Sequence, residues 1–228
     1  GGSYDNILVV SNGVSADTLN RNDLVLVRSG ILVFEGKENG LDQSGSFIRD
    51  HLLDMGYETV YTNHFPSTLD GFEAVFASFG SSFYTSPELT DEIANSLKTY
   101  GQQGGMIYLE GAQALGHDQA GNNLLWFVFG LEHVSNGSNN SLDLLEGQEG
   151  SIMEGLEFLS SSQFDVSDVD IFIPYPSATT AHVAFEESDY GAVAIQFDGA
   201  DFYGQKTFCM SYSLADLEDG ESPNTREE

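Results

Sequence analysis

Short hydrophobic runs alternate with segments of helical spacing along this chain. Apolar runs at 7–10, 24–27 and 31–34 are short and rich in β-branched residues, so each is predicted to be a strand. After the third run, apolar residues recur at helical spacing up to Gly56, and another strand is predicted at 57–61. This order predicts a βαβ unit with a right-handed crossover.

The same alternation continues in the next part of the chain. A strand at 72–79 is followed by a helix that is predicted to start at Ser86-Pro87 and to close at Gly101. A buried strand then runs from Gly104 to Glu110 and ends in a glycine-bounded turn. Near-continuous apolar strands separated by helices predict an α/β fold of three layers, with a mostly parallel central sheet between helices.

The regular pattern weakens after Asp118. A short aromatic helix is predicted at 124–129. Residues 131–178 are rich in Ser, Asn, Gly and Asp, and they are predicted to form an irregular insert with short strands. Regular strands are predicted again at the following positions: 181–185, 192–197 and 207–211.

This pattern divides the chain into two parts. Residues 1–30 are predicted to be an N-terminal β extension or the end of a preceding domain, and residues 31–228 to form the α/β domain. A C-terminal helix is predicted to begin at Thr225 and to be cut short. We therefore expect the natural polypeptide to continue.

The charge of the chain restricts its partners. The sequence has 36 Asp and Glu against 7 Lys and Arg, a formal net charge of -29, so phosphate groups would be repelled. This excludes nucleic acid and anionic membranes as partners, and an acidic surface suits salty or calcium-rich surroundings. No run of about 18 apolar residues occurs, so membrane insertion is not expected. The single Cys209 allows no internal disulfide.

Acidic and imidazole side chains are predicted to gather where the parallel strands end. Oxygen and imidazole ligands at that edge could hold a divalent cation, and the alternative is that these residues are solvated loop residues or helix caps. The candidates are Glu35, Glu110, His117 and Asp118.

A second candidate cation site is a run of aspartates, with ordinary turn residues as the alternative. Asp165, Asp168 and Asp170 could form a surface calcium site, although their spacing is not that of an EF-hand. Neither a phosphate-binding glycine motif nor a G-x-S-x-G elbow is present.

The order of elements resembles that of class I glutamine amidotransferase-like domains, which have a flavodoxin-like fold. It resembles in particular the degenerate versions found as modules in large secreted bacterial proteins. The stretches that carry this resemblance are 31–40, 53–57, 79–81, 100–105 and 206–212.

The resemblance also implies where a catalytic residue would lie. Active members carry a nucleophilic Cys in a G-x-C-x-G turn after a strand. With Gly111 on the first glycine, Gln113 takes the place of the nucleophile, and glutamine cannot attack a substrate. Cys209 lies in a late strand and is predicted to be a buried structural thiol.

The resulting hypothesis is a non-catalytic module without a cofactor. It would be a structural or interaction unit of a larger secreted or cell-surface protein, extracellular and bacterial. Its partners would be neighbouring domains of the same polypeptide or identical copies. Two alternatives stay open: a hydrolase with a cleft at the carboxyl ends of the strands, above Gly80–Ser82, and a calcium-stabilised binding domain.

Overall fold

The computed structural model describes residues 4–11, 16–24, 30–36, 44–80, 88–135, 142–160 and 169–226. Near the N-terminus, β1 (Tyr4–Ser11) and β2 (Ala16–Leu24) pair antiparallel in a sheet of their own. β2 occupies a largely polar segment in which the sequence pattern predicts no strand. The apolar run predicted as a strand at 24–27 lies mostly outside the described residues.

The other elements follow in chain order. They are β3 (Ile31–Glu35), α1 (Ser44–Asp54), β4 (Thr59–Thr62), β5 (Ala74–Ser78), α2 (Asp91–Gln102), β6 (Met106–Glu110), a π-helical turn (Ala114–Asp118), α3 (Asn123–Val128), β7 (Leu131–Ser135), β8 (Leu144–Gly147), β9 (Glu157–Ser160), β10 (Ile171–Pro174), β11 (Ala181–Glu187), β12 (Gly191–Asp198), β13 (Lys206–Met210), a 3-10 turn (Leu214–Asp216) and β14 (Leu217–Glu218).

Within the described part of the chain, the main sheet has ten strands in the order β14-β9-β8-β11-β12-β13-β6-β5-β3-β4. The strands from β13 to β4 are parallel to their neighbours, whereas every pairing from β14 to β13 is antiparallel. The α/β class is confirmed, but the sheet is mixed rather than mostly parallel. The reason is that β11 and β12 are joined by a short hairpin, which imposes antiparallel pairing.

The segment predicted as an irregular insert contributes regular strands. β8 and β9 extend the main sheet, while β7 and β10 form a separate antiparallel pair. Leu145 and Phe158 are the buried anchors of the two added strands. The insert therefore enlarges the core rather than lying outside it.

Helices α2 and α3 pack on one face of the parallel strands and α1 on the other. Alternate residues of β3 separate in the same way: Leu32 and Phe34 belong to the core beside α2 and α3, and Ile31 and Val33 to the core beside α1. No helix among the described residues is long and apolar enough to cross a membrane.

Two predicted helix ends are corrected by the structure. Helix α2 starts at Asp91, because the side chain of Thr90 accepts a hydrogen bond from the Ile93 amide, and the predicted start at Ser86-Pro87 lies outside the described residues. The C-terminal helix predicted from Thr225 has not begun at Arg226, whose guanidinium instead pairs with Asp219 at 2.7 Å.

We expect the α3 side of the core to be essential for stability. Leu125 is fully buried and its neighbour Leu124 is 62% exposed. Leu125→Ala should therefore lower the free energy of unfolding by about 2–5 kcal/mol, and Leu124→Ala should change it by no more than about 0.5 kcal/mol. Chemical denaturation of both variants measures the difference, and equal losses would show that α3 does not close the core.

Candidate functional site

Three rows of side chains cross the parallel strands on the side of α1. Because the strands are in register, residues two apart on each strand form successive rows. In order, the rows are Ile31, Ala74, Met106 and Lys206; Val33, Phe76, Tyr108 and Phe208; and Glu35, Ser78, Glu110 and Met210. The third row, here called the polar row, lies at the carboxyl edge of the sheet, where α/β folds bind ligands.

Glu110 is the centre of the polar row and has no exposed surface. Its Oε1 accepts hydrogen bonds from the hydroxyls of Ser78 (2.5 Å) and Ser213 (3.3 Å). Its Oε2 accepts from the Tyr108 hydroxyl (2.6 Å) and the Leu214 amide (3.0 Å). The carboxyl group is thus held by four protein donors inside the fold.

Burial sets the protonation behaviour of Glu110 and Tyr108. Loss of hydration raises the pKa of Glu110, although its hydrogen bonds from Ser78, Tyr108 and Leu214 act in the opposite direction. Burial also raises the pKa of Tyr108 well above its ordinary value, and the nearby Glu110 charge adds to that effect. Both groups therefore favour their neutral forms more than they would in water.

Glu35 fixes the first turn of α1 to the polar row. Its Oε2 accepts a hydrogen bond from the Ser46 amide at 3.0 Å, where the positive end of the helix dipole favours a carboxylate. A Cβ at Gly45 would lie 2.6 Å from the same oxygen, so a larger residue there would displace the Glu35 carboxylate. Ser44 completes the link, since its hydroxyl lies 2.6 Å from that of Ser213.

The turn after β6 does not have the geometry of a nucleophile elbow. Gln113 has φ -124° and ψ 7°, outside the left-handed region, and its carbonyl accepts hydrogen bonds from the amides of His117 and Asp118. The Gly111 amide donates to the Met210 carbonyl at 3.1 Å, and a Cβ at Gly111 would lie 2.9 Å from that of Phe79. The turn is therefore closely packed and relaxed, and the side chain at 113 is half-buried.

The four candidate cation ligands do not form one group. Glu35 and Glu110 lie in the polar row, but the π-helical turn carries His117 and Asp118 away to the segment before α2. There Asp118 Oδ2 accepts from the Leu89 amide at 2.8 Å, and the His117 side chain is 52% exposed. Among the described residues, no three His, Cys, Asp or Glu side chains are placed to hold a metal ion.

Asp170 is a buried structural residue rather than a surface calcium ligand. It has no exposed surface, and its Oδ2 accepts hydrogen bonds from the amides of Leu115 (3.0 Å) and Gly116 (2.7 Å). It therefore holds the π-helical turn against β10. The other two members of this predicted site, Asp165 and Asp168, lie outside the described residues.

Cys209 is buried in β13, as predicted. The thiol has no exposed surface, and burial raises its pKa, so the reactive thiolate is disfavoured. It faces the core beside α2 and α3.

An open apolar groove that was not predicted lies over the first and second rows, towards the amino ends of the parallel strands rather than at the polar row. The rings of Phe76, Tyr108 and Phe208 form its floor, with centroid separations of 5.4 and 5.9 Å across neighbouring strands. Met106 and Ile152 border it and are 44% and 68% exposed. The groove has a volume of about 480 Å³. The sequence contains one indication of this groove: β6 has apolar residues on both of its faces. Such a strand is normally covered on both sides of the sheet, so an uncovered part leaves apolar surface open.

Comparisons with known proteins show the fold and no more. No family model and no curated protein matches the chain. A β-galactosidase from Bacillus circulans is similar over 83% of this chain and 29% of its own, with 12% identity and a TM-score of 0.51. An exo-β-1,4-mannosidase from an Opitutaceae bacterium is similar over 81% and 31%, with 7% identity and a TM-score of 0.51. The chain thus spans less than a third of these two structures.

A third solved structure belongs to a smaller protein. It is a putative GMP synthase component from Thermoplasma acidophilum, 12% identical, with a TM-score of 0.49. The similarity covers 82% of this chain and 86% of that one.

We expect Glu110 to make stability depend on pH. A carboxyl whose pKa is raised by folding stabilises the fold fully at low pH, and this contribution is lost as the pH rises through the folded-state pKa. The quantity to follow is the difference in free energy of unfolding between the wild type and Glu110→Gln, taken as wild type minus variant. This difference should fall as the pH rises above about 4.5, which is the ordinary pKa of a glutamate carboxyl.

Denaturation of both proteins at a series of pH values measures this difference. The exposed Glu149→Gln is the matched control for the loss of one negative charge. If both substitutions gave the same pH dependence, the effect would belong to the net charge and not to the buried carboxyl.

Proposed function

We propose that this chain is a non-catalytic module with a flavodoxin-like, class I glutamine amidotransferase-like fold. It serves as a structural or interaction unit of a larger secreted or cell-surface bacterial protein. Its partners are neighbouring domains of the same polypeptide or identical copies, and it needs no cofactor.

The order of the parallel strands supports the fold assignment. From β4 to β13 the order is β4-β3-β5-β6-β13. Numbered along the chain, these five strands read 2-1-3-4-5, the flavodoxin-like order. β6 is then the fourth strand, and the turn that follows it is the one that carries the nucleophile in the resembling family.

The observation that carries the non-catalytic proposal is the chemistry of that turn. Gln113 has no nucleophilic group, and its backbone is not in a strained conformation. The only thiol is buried in β13. Glu110, the acidic group at the end of the same strand, is enclosed and engaged by four donors, so it is not presented to a substrate.

The open groove supports an interaction role. A parallel sheet is normally covered on both faces, yet aromatic side chains of β5, β6 and β13 border the open space of this groove. Burying this apolar surface against another domain would stabilise both partners. The comparable domains of the β-galactosidase and the mannosidase are also parts of longer chains.

A panel of hydrolase substrates tests the proposal. The wild type, Gln113→Ala and Glu110→Gln should all fail to turn over glutamine, chromogenic esters or chromogenic glycosides above the buffer rate. Turnover that purifies with the wild type and falls at least about tenfold, or 1.4 kcal/mol, in either variant would establish a hydrolase instead.

A further inference from the structure

The outer strand β4 is an unprotected sheet edge. Among the described residues it pairs with β3 alone. Its sequence, Thr59-Val60-Tyr61-Thr62, has no charge, no proline and no bulge, which are the usual devices that protect an edge. Val60 and Tyr61 are 45% and 40% exposed and point to opposite faces of the sheet. Apolar surface is therefore open on both sides of this edge.

More apolar surface continues from the edge to the end of α1. Five of the twelve exposed large hydrophobic side chains among the described residues fall between positions 53 and 61. They are Leu53, Met55, Tyr57, Val60 and Tyr61, here called the β4 edge patch. This concentration is unusual on a chain with 36 acidic residues and indicates a contact surface.

The backbone of β4 also has groups that point outward. The Glu58 carbonyl accepts from the Ile31 amide at 2.8 Å, so the peptide groups of residues 58, 60 and 62 face β3. Because strand residues alternate, the N–H and C=O groups of Thr59 and Tyr61 face away from the sheet. A partner strand could therefore pair with these two residues.

A second copy of β4 fits this edge. A two-fold axis normal to the sheet at Val60 places the two strands antiparallel, with Val60 opposite its own copy and Thr59 opposite Tyr61. Thr59 and Tyr61 then exchange backbone hydrogen bonds on both sides of the axis. These pairs join β-branched residues to β-branched or aromatic ones, which are favourable cross-strand neighbours.

The local charges permit the same approach. In this register Glu58 lies opposite Thr62, so no like charges face each other. The Arg49 guanidinium stands 4.7 Å from the centroid of the Tyr61 ring and brings one of the chain's seven basic side chains to this edge. Arg49 also pairs with Asp50 at 2.7 Å, so its charge is locally balanced. β4 itself carries no charged residue, and the paired strands would therefore bring no like charges together.

We propose that the chain forms a two-fold dimer by antiparallel pairing of β4 edges, which joins two ten-stranded sheets. This deepens the proposed function, since it names an identical copy as a partner of the module. The paired strands are short, so the dimer dissociates on dilution. Salt promotes it, because screening reduces the repulsion between two strongly acidic copies.

Charge substitutions on the axis give a specific test. Sedimentation equilibrium of the wild type, over about a hundredfold range of concentration in high salt, should show a rise from 24.8 kDa towards twice that mass. Val60→Lys and Val60→Glu should each weaken self-association at least about tenfold, because like charges then face each other. Mixing the two variants should restore a dimer, since Lys then meets Glu across the axis.

Leu159→Lys is the matched control, because Leu159 is an apolar strand residue that is 49% exposed on β9, outside the β4 edge patch. It should dimerise like the wild type, and circular dichroism checks that every variant is folded. The proposal is overturned if the wild type stays monomeric. It is also overturned if mixing Val60→Lys with Val60→Glu does not restore a dimer. Neither result changes the turnover assay, so failure of the dimer and failure of the non-catalytic assignment can be told apart.

Discussion

The buried Glu110 carboxyl is the constraint on which the carboxyl edge of the sheet depends. A carboxyl removed from water must be satisfied by protein donors, or it destabilises the fold. Its donors come from β5, from β6 and from the segment after β13. Ser213 in that segment also meets Ser44 at the start of α1. One acidic side chain thereby fixes four separate parts of the chain relative to one another.

The parallel strands and the antiparallel strands β11 and β12 could be predicted from sequence, whereas the positions of β8, β9 and β14 could not. Strands buried on both faces are continuous apolar runs, and 31–34 and 72–79 show this clearly. The added strands β8 and β9 have four residues each and alternate weakly, so neither pattern nor length identifies them. Their partners are also distant in sequence, and local propensity does not encode such pairing.

Contacts between residues that are distant in sequence also explain why the candidate site could be predicted only in part. The sequence predicts Glu110 as a site residue because it ends a buried strand, but one of its hydrogen-bond donors is the Leu214 amide, 104 residues away. His117 and Asp118 are near Glu110 in sequence, yet a π-helical turn separates them in space. Asp170 stood in an aspartate-rich run, but its apolar neighbours Val169 and Ile171 were a usable signal that it is buried.

The acidic composition of the chain limits which molecules can associate with the apolar β4 edge. An unprotected strand edge would normally promote aggregation with any exposed strand, and a large net charge opposes such indiscriminate association. With a formal charge of -29, copies of this chain repel one another in most orientations. The uncharged strand β4, beside the Arg49–Asp50 ion pair, offers a contact without like charges that only a well-aligned partner can use. The charge therefore makes the edge selective, so an interaction surface can persist on an otherwise repulsive protein.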